Sequence, residues 1–205
     1  NIQMNTLQTM QNILKAESEA IINIPLTTAY EKATDLIVEH VHERGGKIVA
    51  SGVGKAGNIA ALLASTFSST GTPAISINPC DAQHGDLGTL QPNDILILIT
   101  NSGSTKEIMQ LMQCARMLYP RISVIAITGV SESPLAKESD VALLTAQADD
   151  VGPYGLTPTT SVTMMTVIGH LLVNAVTSRT EFTREHYAML HRGGNLGLKL
   201  REAMN

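Results

Sequence analysis

Hydrophobic residues along the chain follow two alternating patterns. Residues 94–100 (Asp-Ile-Leu-Ile-Leu-Ile-Thr) form an apolar run with no polar face, as expected of a strand buried on both sides of a parallel sheet. Shorter apolar runs at 47–51, 74–77, 122–128 and 141–144 read as further strands. Between them, 58–69 and the stretch from 101–105 to about 118 read as helices. Two helical patterns precede the first strand, at 2–22 (Leu7, Met10, Ile13, Leu14, Ala20, Ile21) and 26–42. Helices at 162–178, opened by the hydroxyls of Thr157-Pro158-Thr159-Thr160-Ser161, and at 183–190, ending at His191-Arg192-Gly193-Gly194, follow the last strand. Strands alternating with helices predict a three-layer α/β/α sandwich with about five parallel strands and N-terminal helices before the sheet. Ligands of such folds bind beyond the carboxyl ends of the strands, which here means the loops after Ser51, Ile77 and Thr100.

Composition narrows the class. A length of 205 residues predicts a single domain over 1–205, and 43% hydrophobic against 16% charged residues predicts a globular one. Only 3% of residues are aromatic and the net charge is −4, with no basic run, so nucleic acid is not expected as a partner. Cys80 and Cys114 are isolated, which suggests neither zinc nor disulfides and fits reduced thiols in a cytoplasm. The longest apolar run, 162–176, is interrupted by Thr163, Thr166, His170 and Asn174, and the Asn1-Ile2-Gln3 start carries no secretion signal. A cytoplasmic protein without a membrane partner is the expectation. Met109, Met112, Met117, Met164 and Met165 read as core filler, and His40, His42, His170 and His186 as structural residues of helices.

Gly52, Gly54 and Gly57 satisfy GxGxxG between a strand and a helix, but the next strand ends in Ile77-Asn78 without the acid that a dinucleotide ribose needs. A Walker loop fails too, since Val49 and Ala56 stand where Gly and Ser/Thr belong. Glycines for a tight turn and close packing explain the run, apart from Lys55, a charge at the mouth of the sheet. Asn101-Ser102-Gly103-Ser104-Thr105 is more specific. A cap needs one hydroxyl, whereas several hydroxyls at a helix amino end suit a phosphate dianion. His84 stands in the glycine-bounded loop His84-Gly85-Asp86-Leu87-Gly88, and Glu107 one turn into the helix after Thr105 is either a dipole-friendly acid or a pocket residue. Asp149-Asp150 precedes a Gly/Pro loop and is ambiguous alone.

In order, these motifs resemble the sugar-isomerase (SIS) domain family over about 16–200, and in particular the members that interconvert ribulose 5-phosphate and arabinose 5-phosphate for Kdo and lipopolysaccharide synthesis. The resemblance implies catalytic roles for Lys55, Glu107, Asp150 and His191. It implies substrate contacts from Gly52, Gly54, His84, Ser102, Ser104, Thr105, Thr159, Thr160 and Ser161. It also implies a phosphosugar ligand, no cofactor, and sites completed between subunits of a homotetramer. Several residues depart from the family pattern. Asp150 replaces a Glu, Arg192 a Pro, and Asn78 a histidine that binds zinc in many relatives, so no metal is expected. Many relatives continue into a CBS pair, whereas this sequence stops at Asn205, so nucleotide control through such domains is expected to be absent. Two alternatives stay open: an isomerase of a hexulose 6-phosphate or sedoheptulose 7-phosphate, and a non-catalytic phosphosugar- or nucleotide-sugar-binding module.

Overall fold

In the computed structural model, which describes residues 5–203, the long apolar run becomes β3 (Ile95–Ile99), the central strand of a five-stranded parallel sheet. The other strands are β1 (Ile48–Gly52), β2 (Ala74–Ser76), β4 (Ser123–Thr128) and β5 (Val141–Leu144), in the order β2-β1-β3-β4-β5. The Asn1-Ile2-Gln3 start, the first residues of the 2–22 pattern and the last two residues lie outside the described part.

The absence of a polar face on β3 has a direct cause. Ile95, Ile97 and Ile99 point into one core and Leu96 and Leu98 into the other, so the strand alternates between two apolar layers. The Ile face is covered by α1 (Thr6–Ile22), α2 (Ala29–Ile37), α3 (Lys55–Ser69) and α7 (Thr160–Arg179). The Leu face is covered by α4 (Pro79–Ala82), α5 (Lys106–Leu118) and α6 (Pro134–Glu138). This is the expected three-layer α/β/α sandwich. By length and composition α7 could cross a membrane, but half of it is buried inside the domain.

Some local structure differs from expectation. The 26–42 helix is α2 followed by a π-helical turn over Val38–Glu43, whose wider winding lets the consecutive residues His40 and Val41 both face inward. Both imidazole nitrogens of His40 are then bonded, Nδ1 to the Asn93 carbonyl and Nε2 to the Ser123 hydroxyl, each at 3.1 Å. The short helices α4 and α6, and a 3-10 turn at Asp86–Thr89, fill loops that carry too few residues to show a period. Beyond α8 (Arg184–Leu190), the Gly193-Gly194 pair does not end the chain's helical structure. Gly194 takes a φ of +75° and opens α9 (Gly194–Glu202) instead. The two helices are close enough that a Cβ at Gly197 would lie 1.9 Å from the His191 carbonyl oxygen.

At the amino edge of the sheet, the Asp94 side chain is 1% exposed and accepts hydrogen bonds from Lys47 N (2.9 Å), Gln91 N (2.8 Å) and Lys47 Nζ (2.6 Å). Asp94→Ala removes the acceptor of the Lys47 and Gln91 amides and the partner of the Lys47 ammonium, and is expected to lower unfolding stability by about 3 kcal/mol in urea denaturation. An unchanged midpoint would contradict this.

Candidate functional site

The strand order reverses between β1 and β3. The chain leaves β1 into α3 on one face of the sheet and leaves β3 into α5 on the other. Past the register partners Gly52 and Ile99 the two loops therefore diverge and leave a crevice, the place where sheets of this order take ligands. A cavity of about 340 Å³ occupies it, lined by Lys55, Thr100, Ser102, Thr105, Asp150 and Ser161 among others.

The first loop is shaped by its glycines. A Cβ on Gly52 would lie 2.4 Å from the Ala56 carbonyl carbon, and one on Gly57 would lie 2.9 Å from the Gly52 oxygen, so both let α3 start hard against β1. Gly54 precedes α3 with φ +60° and ψ −125°, a backbone conformation closed to residues with a side chain. This turn brings the exposed Lys55, first residue of α3, to the cavity wall.

The second loop is built around hydroxyls. No side chain caps α5. Thr100 Oγ1, buried at the end of β3, lies 2.6 Å from Thr105 Oγ1 and 3.4 Å from Ser102 Oγ, and Ser104 donates from both its N and its Oγ to Ser102 Oγ at 3.3 Å. Gly103 pins the loop from below. Its φ is +66°, its carbonyl accepts from Leu135 N at 3.0 Å, and a Cβ there would lie 2.0 Å from Ser133 Oγ. The result is a helix amino end with its first amides uncapped and several hydroxyls beside it, an anion site by its electrostatics.

The third wall is the start of α7, where Asp150 folds back onto the helix. Its Oδ1 accepts from Thr159 N (2.9 Å) and Ser161 N (2.8 Å), and its Oδ2 from Ser161 Oγ (3.2 Å). Burial alone would raise this carboxyl, but the hydrogen bonds from Ser161 and Thr159 outweigh it and hold the group below the usual carboxylate range. Thr159 Oγ1 accepts from Val151 N at 3.0 Å and donates toward Val151 O at 3.2 Å, closing the neck of loop 151–158.

The cavity thus brings together Lys55, Ser102, Thr105, Asp150 and Ser161 of the expected residues. The others stand apart from its wall. Gly52 is buried under the first loop, and Thr160 is 1% exposed with its hydroxyl unpartnered. Glu107, half-buried in the first turn of α5, has no hydrogen bond or ion pair among the described residues. One turn further on, Gln110 accepts from Gln83 Nε2 at 3.3 Å, so Glu107 shares a face of α5 with the turn that carries the exposed His84. His191 lies at the corner between α8 and α9, stacked on Tyr187 with ring centroids 3.8 Å apart. Its Nδ1 is 2.8 Å from the Tyr187 carbonyl, which can only accept, so the proton is on Nδ1 and the lone pair on Nε2. Asn78 caps α4 by accepting from Cys80 N at 2.9 Å. Among the described residues no group of three or more His, Cys, Asp or Glu is placed to hold a metal ion.

The cavity is also lined by Asn101 of the hydroxyl loop, by Thr100 and Val162, for which the sequence suggested no site role, and by Met165, read from the sequence as core filler. Met165 stands one turn after Ser161 on α7, a spacing that could have placed it on the same wall.

The SIS domain family model matches residues 40–175. Arabinose 5-phosphate isomerase KdsD of Escherichia coli K12 is 40% identical over 185 residues, which are 90% of this chain and 53% of that protein. KdsD of Pseudomonas aeruginosa is 39% identical over 155 residues, 76% of this chain and 47% of the relative. The chain therefore spans about half the length of the curated relatives it matches. A Bacteroides fragilis structure, provisionally described as a phosphosugar isomerase involved in capsule formation, superposes with a TM-score of 0.91 at 53% identity, covering 93% of this chain and 99% of that one. The structure of c3406 from E. coli CFT073 in complex with arabinose 5-phosphate superposes with a TM-score of 0.80 at 33% identity, covering 92% of this chain and 100% of the other.

Because Gly103 combines a positive φ with a contact that leaves no room for a Cβ, Gly103→Ala is expected to cost about 2 kcal/mol and to displace the hydroxyls. In thermal melts, saturating inorganic phosphate should raise the midpoint of the wild type and not of Gly103→Ala. Equal shifts would contradict the assignment of this loop as the anion site.

Proposed function

The chain belongs to the SIS domain family, and from that premise we propose that it is an aldose–ketose isomerase of a phosphorylated sugar, interconverting ribulose 5-phosphate and arabinose 5-phosphate. The observation that carries this reading is the uncapped amino end of α5, surrounded by hydroxyls and facing Lys55 across one cavity. A volume of about 340 Å³ suits one pentose phosphate, and among the described residues no aromatic side chain lines it to stack a nucleotide base.

Ser102, Ser104 and Thr105, with the first amides of α5, hold the phosphate. The sugar's carbonyl end then extends toward Lys55 and the start of α7. A base removes the proton on the carbon next to the carbonyl, and the electron pair moves into an enediolate. The proton returns to the neighbouring carbon while a second proton passes between the two oxygens, so nothing is oxidised or reduced overall. Lys55 stabilises the enediolate oxygen by charge. The base is Glu107, which no other described residue engages, or His191, whose Nε2 carries the lone pair. His191 is not on the cavity wall of its own chain, so it serves the site of a second copy, in a homotetramer working in the cytoplasm. Exposed apolar side chains around it (Met189, Leu190, Leu196) and along α1 (Leu7, Met10, Leu14) support such contacts. His84 orients the open-chain sugar. The product supplies Kdo and lipopolysaccharide synthesis, in keeping with the KdsD relatives.

Turnover of ribulose 5-phosphate, with hexulose 6-phosphate and sedoheptulose 7-phosphate alongside, tests the reading. Glu107→Gln should lower kcat by about 10³-fold as loss of a proton carrier, and Lys55→Met by about 10²-fold as loss of enediolate stabilisation. Full activity in His191→Ala would remove that residue from the base role, and turnover of only a longer sugar would replace the substrate.

A further inference from the structure

Three helices present their amino ends to the crevice, α3 and α7 from one face of the sheet and α5 from the other, and the ends of α5 and α7 are finished differently. At α5 no side chain takes the first amides, and Ser102 and Thr105 turn hydroxyls toward the cavity. At α7 the Thr159 and Ser161 amides and the Ser161 hydroxyl are all taken by Asp150, at 2.9, 2.8 and 3.2 Å, and Asp150 lines the same cavity. A helix amino end attracts anions through its unpaired N–H groups and its dipole. The Asp150 carboxylate takes the Thr159 and Ser161 amides and sets a full negative charge in front of the helix end.

Resting on the phosphosugar reading above, we propose that Asp150 is a specificity-determining residue. It closes the α7 amino end to phosphate and turns away sugars that carry a second phosphate at the carbonyl end. The neutral carbonyl and hydroxyl end of a monophosphate meets no such repulsion, and a sugar hydroxyl can donate to Asp150 Oδ2, which accepts only from Ser161 Oγ among the described residues. A second phosphate there would stand beside a like charge, with the Ser161 amide and hydroxyl already taken. The same hydrogen bonds keep the carboxyl ionised at neutral pH, so the repulsion persists under working conditions.

The test compares Asp150→Asn and Asp150→Ser, which keep a helix-capping side chain and lose the charge, with Asp150→Glu, which keeps the charge. Each is assayed for ribulose 5-phosphate turnover with ribulose 1,5-bisphosphate as competitive inhibitor. The readout is the bisphosphate Ki divided by the monophosphate KM, since a residue acting only as a cap would move both constants together. The ratio is expected to fall at least about tenfold in Asp150→Asn and Asp150→Ser, and to stay high in wild type and Asp150→Glu. An unchanged ratio in both neutral variants, or a wild type that binds the bisphosphate as tightly as the monophosphate, would overturn the proposal. A wild type that neither binds nor turns over ribulose 5-phosphate would instead overturn the phosphosugar reading, and this inference with it.

Discussion

The amino end of α5 is the feature on which the rest of the site depends. A helix terminus often finds a capping side chain for its first amides. Here Thr105 precedes the helix without capping it, and its hydroxyl is held instead by Thr100 at 2.6 Å. The sheet makes this arrangement possible. Reversal of the strand order between β1 and β3 sends α3 and α5 to opposite faces and opens space past Gly52 and Ile99. Gly103 then holds the loop by packing where no side chain fits. These features place an anion-seeking terminus at the bottom of a cavity whose far wall is another helix start.

That far wall makes the cavity asymmetric. With a net charge of −4 the chain has no basic surface to spend on phosphate, and the attraction comes from oriented amides, hydroxyls and one lysine. Asp150 cancels the corresponding attraction at α7. On the proposed reading, the open end of α5 and the α7 end closed by a carboxylate orient a ligand with one charged end, phosphate toward α5 and carbonyl toward Lys55 and α7.

Much of this was legible in the sequence, and the parts that were not share a cause. The run at 94–100 could be read as a doubly buried strand because Ile and Leu alternate between two apolar cores. The surplus of hydroxyls at 101–105 pointed to phosphate because a cap needs only one. The π-helical turn at Val38–Glu43 and the helix opened by Gly193-Gly194 escaped notice, since a wider winding and a left-handed glycine between two helices leave no periodic trace. Direction was the larger gap. Thr159, Thr160 and Ser161 look alike as residue types, yet Thr159 closes a loop neck, Thr160 is buried and only Ser161 reaches the cavity. By likeness Asp150 is expected to be a catalytic carboxylate, and its contacts at 2.9, 2.8 and 3.2 Å with the start of α7 leave no trace in the sequence.

The central claim is that this crevice moves a proton on the carbon beside a sugar carbonyl while the phosphate is held at α5. The most direct measurement is incorporation of solvent deuterium into ribulose 5-phosphate and arabinose 5-phosphate, followed by NMR in the presence of the protein. The account predicts a carbon-bound deuterium at the first carbon of the ketose and the second carbon of the aldose, incorporated more slowly, in step with kcat, when Glu107 or Lys55 is replaced. Saturable binding of either sugar without exchange would contradict it and leave a site that holds phosphosugars without converting them.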